Sequence, residues 1–197
     1  MDGSTLFLSL ALIVLAYFSG SLLGAIWVCR WLNEPNPMLY GSHNPGATNV
    51  YRLAGFKAAF LTLAWDAAKA ALPVWLGVQA ELPRETLWAI ALAAIVGHVL
   101  PVFHRFRGGK GVASTLGAGL VLAPVTTLWL TLIWFAMLFW KRISALASLT
   151  AAFFAPWLAL WFEPDQFPLF AILALFILVR HRENLVRLAN REEAPIL

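Results

Sequence analysis

The chain has 197 residues, of which 61% are hydrophobic and only 12% charged, with ten Trp, fourteen Phe and a mean hydropathy of +0.76. Soluble domains carry roughly 45–50% apolar and about 25% charged residues, so the composition excludes both a water-soluble surface and a disordered chain and indicates an integral membrane protein. The net charge is nonetheless +4, so where the few positive residues lie becomes informative. Cys29 is the single cysteine; no intrachain disulfide or CxxC metal site is possible, and it reads as a small buried apolar side chain.

The N-terminal MDGST has no basic residue, and the apolar run 6–28 ends without a small-residue cleavage site. It therefore reads as a membrane helix and not a signal peptide. Further apolar stretches follow at 56–78, 87–103, 112–123, 125–140, 143–162 and 167–179. A span needs about 20 residues. The stretch 112–140 is too long for one untilted span and is broken by Pro124, so it reads as a short helix, a tight turn and a second helix. The total is seven spans, or five if 112–140 and 143–179 each count once; seven is adopted.

With the N-terminus outside, twelve of the fourteen Lys and Arg residues fall on the cytoplasmic side, as the bias of short cytoplasmic loops towards Lys and Arg requires. Arg84 lies outside with Glu81, Glu85, Glu163 and Asp165, and Lys69 lies within a span. The expectation is an all-α integral membrane protein. It is a polytopic bundle of seven transmembrane helices with a periplasmic N-terminus and a cytoplasmic C-terminus, forming a single membrane-embedded domain over residues 1–197. The longest polar stretch is 31–55, and no internal repeat is visible.

Polar residues gather in three cytoplasmic segments. The first, GSHNPGATNVYR at 41–52, sets small residues, hydroxyls, two Asn and an Arg before a membrane helix. Glycines let backbone N–H groups approach an anion, and a helix start adds its positive dipole end. Phosphate binding and a well-capped connecting loop are equally good readings of this segment alone. The second, GHVLPVFHRFRGGKGVAST at 97–115, centres on Gly108-Gly109-Lys110-Gly111. Its spacing does not match GxxxxGK[ST], so no nucleotide is inferred. A positive-inside anchor explains Arg105 and Arg107 but not the glycines. The third, RHRENLVRL at 180–188, puts His181, Asn184 and Leu185 on one helical face; lipid headgroups account for its arginines but not for a His–Asn pair. A smaller patch at 141–148 adds Ser144 and Ser148, which alone read more readily as packing or capping groups. Asp66 and Lys69 lie three apart inside the second span. They read as an internal ion pair, with a proton or ion pathway as the sharper alternative. All three segments fall on one face, which suits an amphipathic substrate with an anionic phosphate and a hydrocarbon chain.

These motifs, in this order and with a DAAK element at 66–69, resemble the bacterial acyl-phosphate-dependent glycerol-3-phosphate acyltransferases over about residues 19–188. The resemblance implies a seven-helix inner-membrane enzyme whose site faces the cytoplasm. It would transfer a fatty acyl group from acyl phosphate to the 1-hydroxyl of glycerol 3-phosphate, giving lysophosphatidic acid and phosphate, the first step of phospholipid synthesis. It assigns Ser42, Thr48, Asn49 and Arg52 to a first substrate loop, and Gly108, Gly109 and Lys110 to the glycerol-phosphate loop. It puts His181 and Asn184 at the catalytic face, beside Glu183 in the same motif. Ser148 falls where the family often has a serine pair, but its neighbour is Ala147; His43 and Ala70 replace common glycines. No HxxxxD motif occurs, which agrees with a donor other than acyl-CoA. The expected partners are the two substrates and membrane lipid, with no nucleic acid, no metal and no cofactor; monomer is the default, because everything needed for one site lies in one chain.

No Ser-His-Asp or Cys-His arrangement is evident, so direct attack by the glycerol hydroxyl is expected, with catalysis by positioning and charge stabilisation. A small organic-phosphate transporter is the rival reading, resting on Asp66, Lys69 and the cationic loops.

Overall fold

The computed structural model describes residues 2–196, and its regular structure is helical, with no strand among those residues. The helices are α1 (Gly3–Gly20), α2 (Gly24–Trp31), α3 (Ala47–Gln79), α4 (Arg84–Val99), α5 (Val112–Leu122), α6 (Pro124–Lys141), α7 (Ser144–Phe162), α8 (Phe167–Arg180) and α9 (Arg182–Ala189). Each apolar stretch of the sequence is helical over most of its length. In hydrocarbon the backbone must satisfy its own N–H and C=O groups, and a helix does this within one segment. Four of these segments, Gly3–Gly20, Arg84–His104, Pro124–Lys141 and Ser144–Phe162, are long and apolar enough to cross a membrane. Large rings stand exposed along them, Phe7 and Phe139 by about three quarters and Trp161 by 81%; such apolar surface suits contact with lipid.

The chain forms two compact units, one through Val121 and one from Leu122 onward. In the first unit, α1 packs on α4 and α3, α2 on α3, and α3 on α4. α1 starts at Asp2, which accepts the Thr5 N–H at 2.8 Å; hydrogen bonds from Thr5 hold its carboxyl below the ordinary value. The α1–α4 crossing depends on two glycines. A Cβ on Gly20 would lie 2.1 Å from the Ala94 carbonyl oxygen, and one on Gly97 2.2 Å from that of Tyr17. Small residues of this kind let membrane helices approach backbone to backbone. The same device joins α5 to α3, where a Cβ on Gly117 would meet the Ala67 carbonyl at 1.9 Å.

Two helices depart from the sequence reading. Residues 6–28, expected as one continuous span, break after Gly20: Leu23 is extended (φ −74°, ψ 110°) and α2 begins afresh at Gly24. α3 begins at Ala47, inside the stretch expected to be loop, and is interrupted at Gly55 (φ 77°, ψ −173°). The apolar part of α3 therefore starts at Phe56, where the apolar run of the sequence starts.

In the second unit, α7 packs against α6 and α8. Pro124 occupies the first position of α6, where its missing N–H costs nothing. Ala123, at the cap, contributes no side-chain bond. Glu163, which follows α7, supplies the cap: its carboxylate accepts the Val125 N–H at 3.0 Å, the Thr126 N–H at 2.9 Å and the Thr126 hydroxyl. Lys141 ends α6 with its ammonium 4.0 Å above the Trp140 ring, an arrangement suited to a membrane–water boundary.

Because one carboxylate holds two backbone N–H groups at the α6 start, Glu163→Ala should destabilise the protein by about 1–2 kcal/mol. Thermal unfolding in detergent checks this, and an unchanged midpoint would show that Glu163 caps nothing of consequence.

Candidate active site

The first candidate loop, 37–49, is organised by one side chain. Asn49 is buried, and its amide is fully engaged: Nδ2 donates to the Pro37 carbonyl at 2.9 Å and the Tyr40 carbonyl at 3.0 Å, while Oδ1 accepts the Ser42 N–H at 3.0 Å. Gly41 has φ +66°, and a Cβ there would lie 2.2 Å from Asn49 Oδ1. Conformation and space both demand glycine at that point. Asn49 thus shapes the loop from beneath; of the other expected site residues here, Ser42 and Arg52 are exposed and Thr48 is half-buried. His43 adopts φ 56° and places Nδ1 3.3 Å from the Met38 carbonyl.

The second loop carries Gly108, Gly109 and Lys110 and is folded against His98 at the end of α4. The Gly109 N–H donates to the His98 carbonyl at 3.1 Å. A Cβ on Gly108 would lie 2.1 Å from that carbonyl oxygen, and a Cβ on Gly109 would lie 2.2 Å from His98 Nε2. The glycines are there because side chains do not fit, which a mere anchor of positive charge would not need. Gly111 has φ 87°, and its carbonyl accepts the Thr115 N–H at 2.8 Å as α5 begins.

Below this loop lie Asp66 and Lys69, 2.7 Å apart and both buried. They form the internal ion pair expected from the sequence. The Asp66 carboxylate also accepts the Gly24 N–H at 3.0 Å, and the Leu22 carbonyl accepts from Lys69 Nζ at 3.0 Å and Trp65 Nε1 at 3.3 Å. The break between α1 and α2 supplies these backbone groups, which an unbroken helix would have kept for itself.

In the second unit, His181 sits at the junction of α8 and α9, outside helical geometry (φ −99°, ψ 12°). Its ring is buried, with Nδ1 2.8 Å from the Ile177 carbonyl. A carbonyl only accepts, so Nδ1 carries the proton and Nε2 is the basic nitrogen of the neutral ring. Asn184, one turn on and also buried, donates Nδ2 to Glu193 Oε1 at 2.7 Å. The other Glu193 oxygen pairs with Arg187 Nε at 2.7 Å. The segment after α9 thus returns onto the helix, and its Ile196 N–H reaches the Arg142 carbonyl at 2.6 Å. Glu193 escaped the sequence reading; its signal was an acid nine residues after the Asn, across a helix end. Ser148 is buried in α7, donating to the Ser144 carbonyl at 3.0 Å and accepting Trp134 Nε1 at 3.0 Å. Its neighbour Ala147 is fully buried, so that position contributes no hydroxyl. Among the described residues, no three His, Cys, Asp or Glu side chains are grouped to hold a metal ion.

Apolar helices that need lipid, and polar loops built on glycine at their ends, define an integral membrane protein with anion-suited loops. Comparison with known proteins narrows the class. The sequence matches the family described as glycerol-3-phosphate acyltransferase over residues 10–191. The glycerol-3-phosphate acyltransferase of Hahella chejuensis (strain KCTC 2396) is 56% identical over 182 residues, spanning 92% of this chain and 94% of that protein. That of Neisseria meningitidis serogroup A is 45% identical over 190 residues, spanning 93% and 95%. Two crystal structures of PlsY (YgiH), an integral membrane glycerol 3-phosphate acyltransferase, are similar at 33% identity over 98% of this chain. The glycerol 3-phosphate form gives a TM-score of 0.89 over 96% of its own chain, and the lysophosphatidic acid form 0.87 over 95%. The chain belongs to the glycerol-3-phosphate acyltransferase family and is a multi-pass integral membrane protein.

Asn49→Ala would strip one loop of three hydrogen bonds, each worth about 1 kcal/mol where its partner can reach water and more where it cannot. We expect faster amide hydrogen exchange across residues 37–46 with α1 unchanged. Exchange at the wild-type rate would mean that the loop does not depend on Asn49.

Proposed function

We propose that this protein transfers a fatty acyl group from acyl phosphate to the 1-hydroxyl of glycerol 3-phosphate, releasing lysophosphatidic acid and phosphate. The observation that carries this reading is the Gly108-Gly109-Lys110 loop: packing against His98 excludes a side chain at both glycines and fixes the backbone from which the Lys110 ammonium can meet an anion. The likeness to the glycerol 3-phosphate form of PlsY supports the choice of that anion. Seven spans, a periplasmic N-terminus, a cytoplasmic C-terminus in a bacterial inner membrane and a monomeric state complete the proposal. The spans and their orientation are supported by the placement of Lys and Arg along the sequence, and the monomeric state by one chain carrying every residue the site calls for.

In this scheme the glycerol hydroxyl oxygen attacks the acyl carbon, the bond from that carbon to the phosphate oxygen breaks, and phosphate leaves with the electron pair. Acyl phosphate is a mixed anhydride with a good leaving group, so no acyl-enzyme is required. Lys110 and Arg52 hold phosphate oxygens, Arg52 through its planar fork. Ser42 and Thr48 contribute hydroxyls to the acyl-phosphate head, Asn49 holds the backbone of the Ser42 loop, and the Ser148 hydroxyl is a further substrate-binding group. His181, with its basic Nε2, receives or steers the hydroxyl proton, and Asn184 orients the reacting group. The acyl chain lies among the apolar helices.

Detergent-solubilised protein should make lysophosphatidic acid from acyl phosphate and glycerol 3-phosphate with no metal or nucleotide added. Turnover with acyl-CoA but not with acyl phosphate would sink the donor assignment. A requirement for sealed vesicles would favour transport instead. Lys110→Ala and Arg52→Ala should each raise KM for glycerol 3-phosphate by roughly 10–100-fold, with Arg52→Lys failing to restore it. His181→Ala should lower kcat by about 10²–10⁴; a near wild-type rate would remove His181 from catalysis.

A further inference from the structure

Three polar side chains in the first unit have no role in the reaction scheme above, yet they are among the most buried in the protein: Asp66 at 1%, His98 at 3% and Lys69 at 7% exposure. Lys69 carries three N–H donors. Three acceptors surround it: Asp66 Oδ1 at 2.7 Å, His98 Nδ1 at 2.9 Å and the Leu22 carbonyl at 3.0 Å. An ammonium only donates, so His98 Nδ1 is an acceptor and the ring proton lies on Nε2. That nitrogen faces the glycine loop. A Cβ built on Gly109 finds its three nearest atoms in the His98 ring, at 2.2, 3.1 and 3.1 Å. The His98 backbone grips the same loop through the Gly109 N–H.

The network is tied down on every side. The Asp66 carbonyl accepts the Ser114 hydroxyl at 3.1 Å and the Lys69 carbonyl accepts the Ser19 hydroxyl at 2.8 Å. These bonds reach α5 just beyond the loop and α1 just before its break. A purely packing role would not require a charged donor whose capacity is matched by three acceptors, one of them the residue under the loop.

We infer that Asp66, Lys69 and His98 form a positioning network for the Gly108-Gly109-Lys110 loop. The Asp66–Lys69 pair fixes the tautomer and ring orientation of His98, and His98 fixes the loop backbone from which Lys110 projects. None of the three touches substrate. The inference rests on reading Lys110 as a phosphate-binding residue.

The contact between His98 and Gly109 supplies the test. Gly109 is not among the residues with positive φ, so the His98 ring, and not the backbone conformation, excludes alanine there. Steady-state kinetics would use the full-length protein in detergent, with saturating acyl phosphate and varied glycerol 3-phosphate. His98→Ala should raise KM for glycerol 3-phosphate about tenfold while changing kcat less than about threefold. Gly109→Ala should lower kcat/KM by about 100-fold in the wild type but by less than about threefold in the His98→Ala background, a coupling expected of residues in contact. His98→Asn, whose side-chain oxygen accepts from Lys69, should recover the thermal stability lost in His98→Ala but not the KM.

Lys69→Met alone would bury an unpaired carboxylate and endanger folding, so the neutral double variant Asp66→Asn/Lys69→Met is the informative one. It should show the same rise in KM as His98→Ala. Additive effects of His98→Ala and Gly109→Ala, or a folded His98→Ala protein with wild-type KM, would overturn the inference while leaving the substrate assignment intact. Wild-type protein that does not acylate glycerol 3-phosphate would overturn the substrate assignment itself, and the inference with it.

Discussion

Lys69 brings an ammonium group into an apolar interior, and much of the first unit is arranged to make that tolerable. Desolvating a charge costs several kcal/mol even after relaxation, and attraction to a partner compensates only when every donor is met. The acceptors come from separate stretches of chain: Asp66 one turn away on α3, His98 from the end of α4, and the Leu22 carbonyl from the break between α1 and α2. The Asp66 carboxylate in turn takes the Gly24 N–H. A straight helix through residues 20–24 would offer neither Leu22 nor Gly24, because both groups would be committed within it. The broken first span and the buried charge therefore require each other.

The candidate loops follow a related rule. Polar residues in the motifs divide into those that hold backbone and those that stand at the surface. Asn49 and Ser148 belong to the first kind, since their side chains are committed to neighbouring main chain or, for Ser148, also to Trp134. Ser42 and Arg52 lie on the surface of their segment. This division has a physical basis. A loop outside regular secondary structure has no ladder of backbone bonds to shape it, so its form has to come from side-chain amides and from glycines.

The helices were legible because long apolar runs in a charge-poor chain leave little alternative. Proline at 124 and the apolar onset at Phe56 marked ends that the structure keeps. The break at residues 21–23 was not legible, because its cause lies more than 40 residues away at Asp66 and Lys69. The motifs were legible as glycine-rich loops, and the ion pair as an ion pair. What stayed hidden was which atom each polar group would face. Nothing in GSHNPGATNVYR says that Asn49 folds back under Gly41, and nothing in RHRENLVRL says that Glu193 will bridge Asn184 and Arg187. Those are tertiary returns across a turn or a helix end, where spacing carries no period to read.

Glycine serves two opposite physical ends in this protein, and the distinction bears on how the basic residues are aimed. At Gly109 the backbone is ordinary and the space is full, so His98 makes the residue small. At Gly55 the space is empty, with nothing within 4 Å of an added Cβ, but φ is +77°. There conformation alone makes the demand. Gly55 turns the helical segment that begins at Ala47 away from the apolar remainder of α3, and that segment carries Arg52. The direction of one candidate phosphate ligand is therefore set by a backbone angle, and the position of the other, Lys110, by crowding. Two other basic residues need neither device. Lys141 rests on Trp140, and Arg187 on Glu193, in local contacts that any flexible side chain can find. A cation that only anchors a helix end tolerates many geometries, whereas one that must meet a phosphate needs its backbone fixed first.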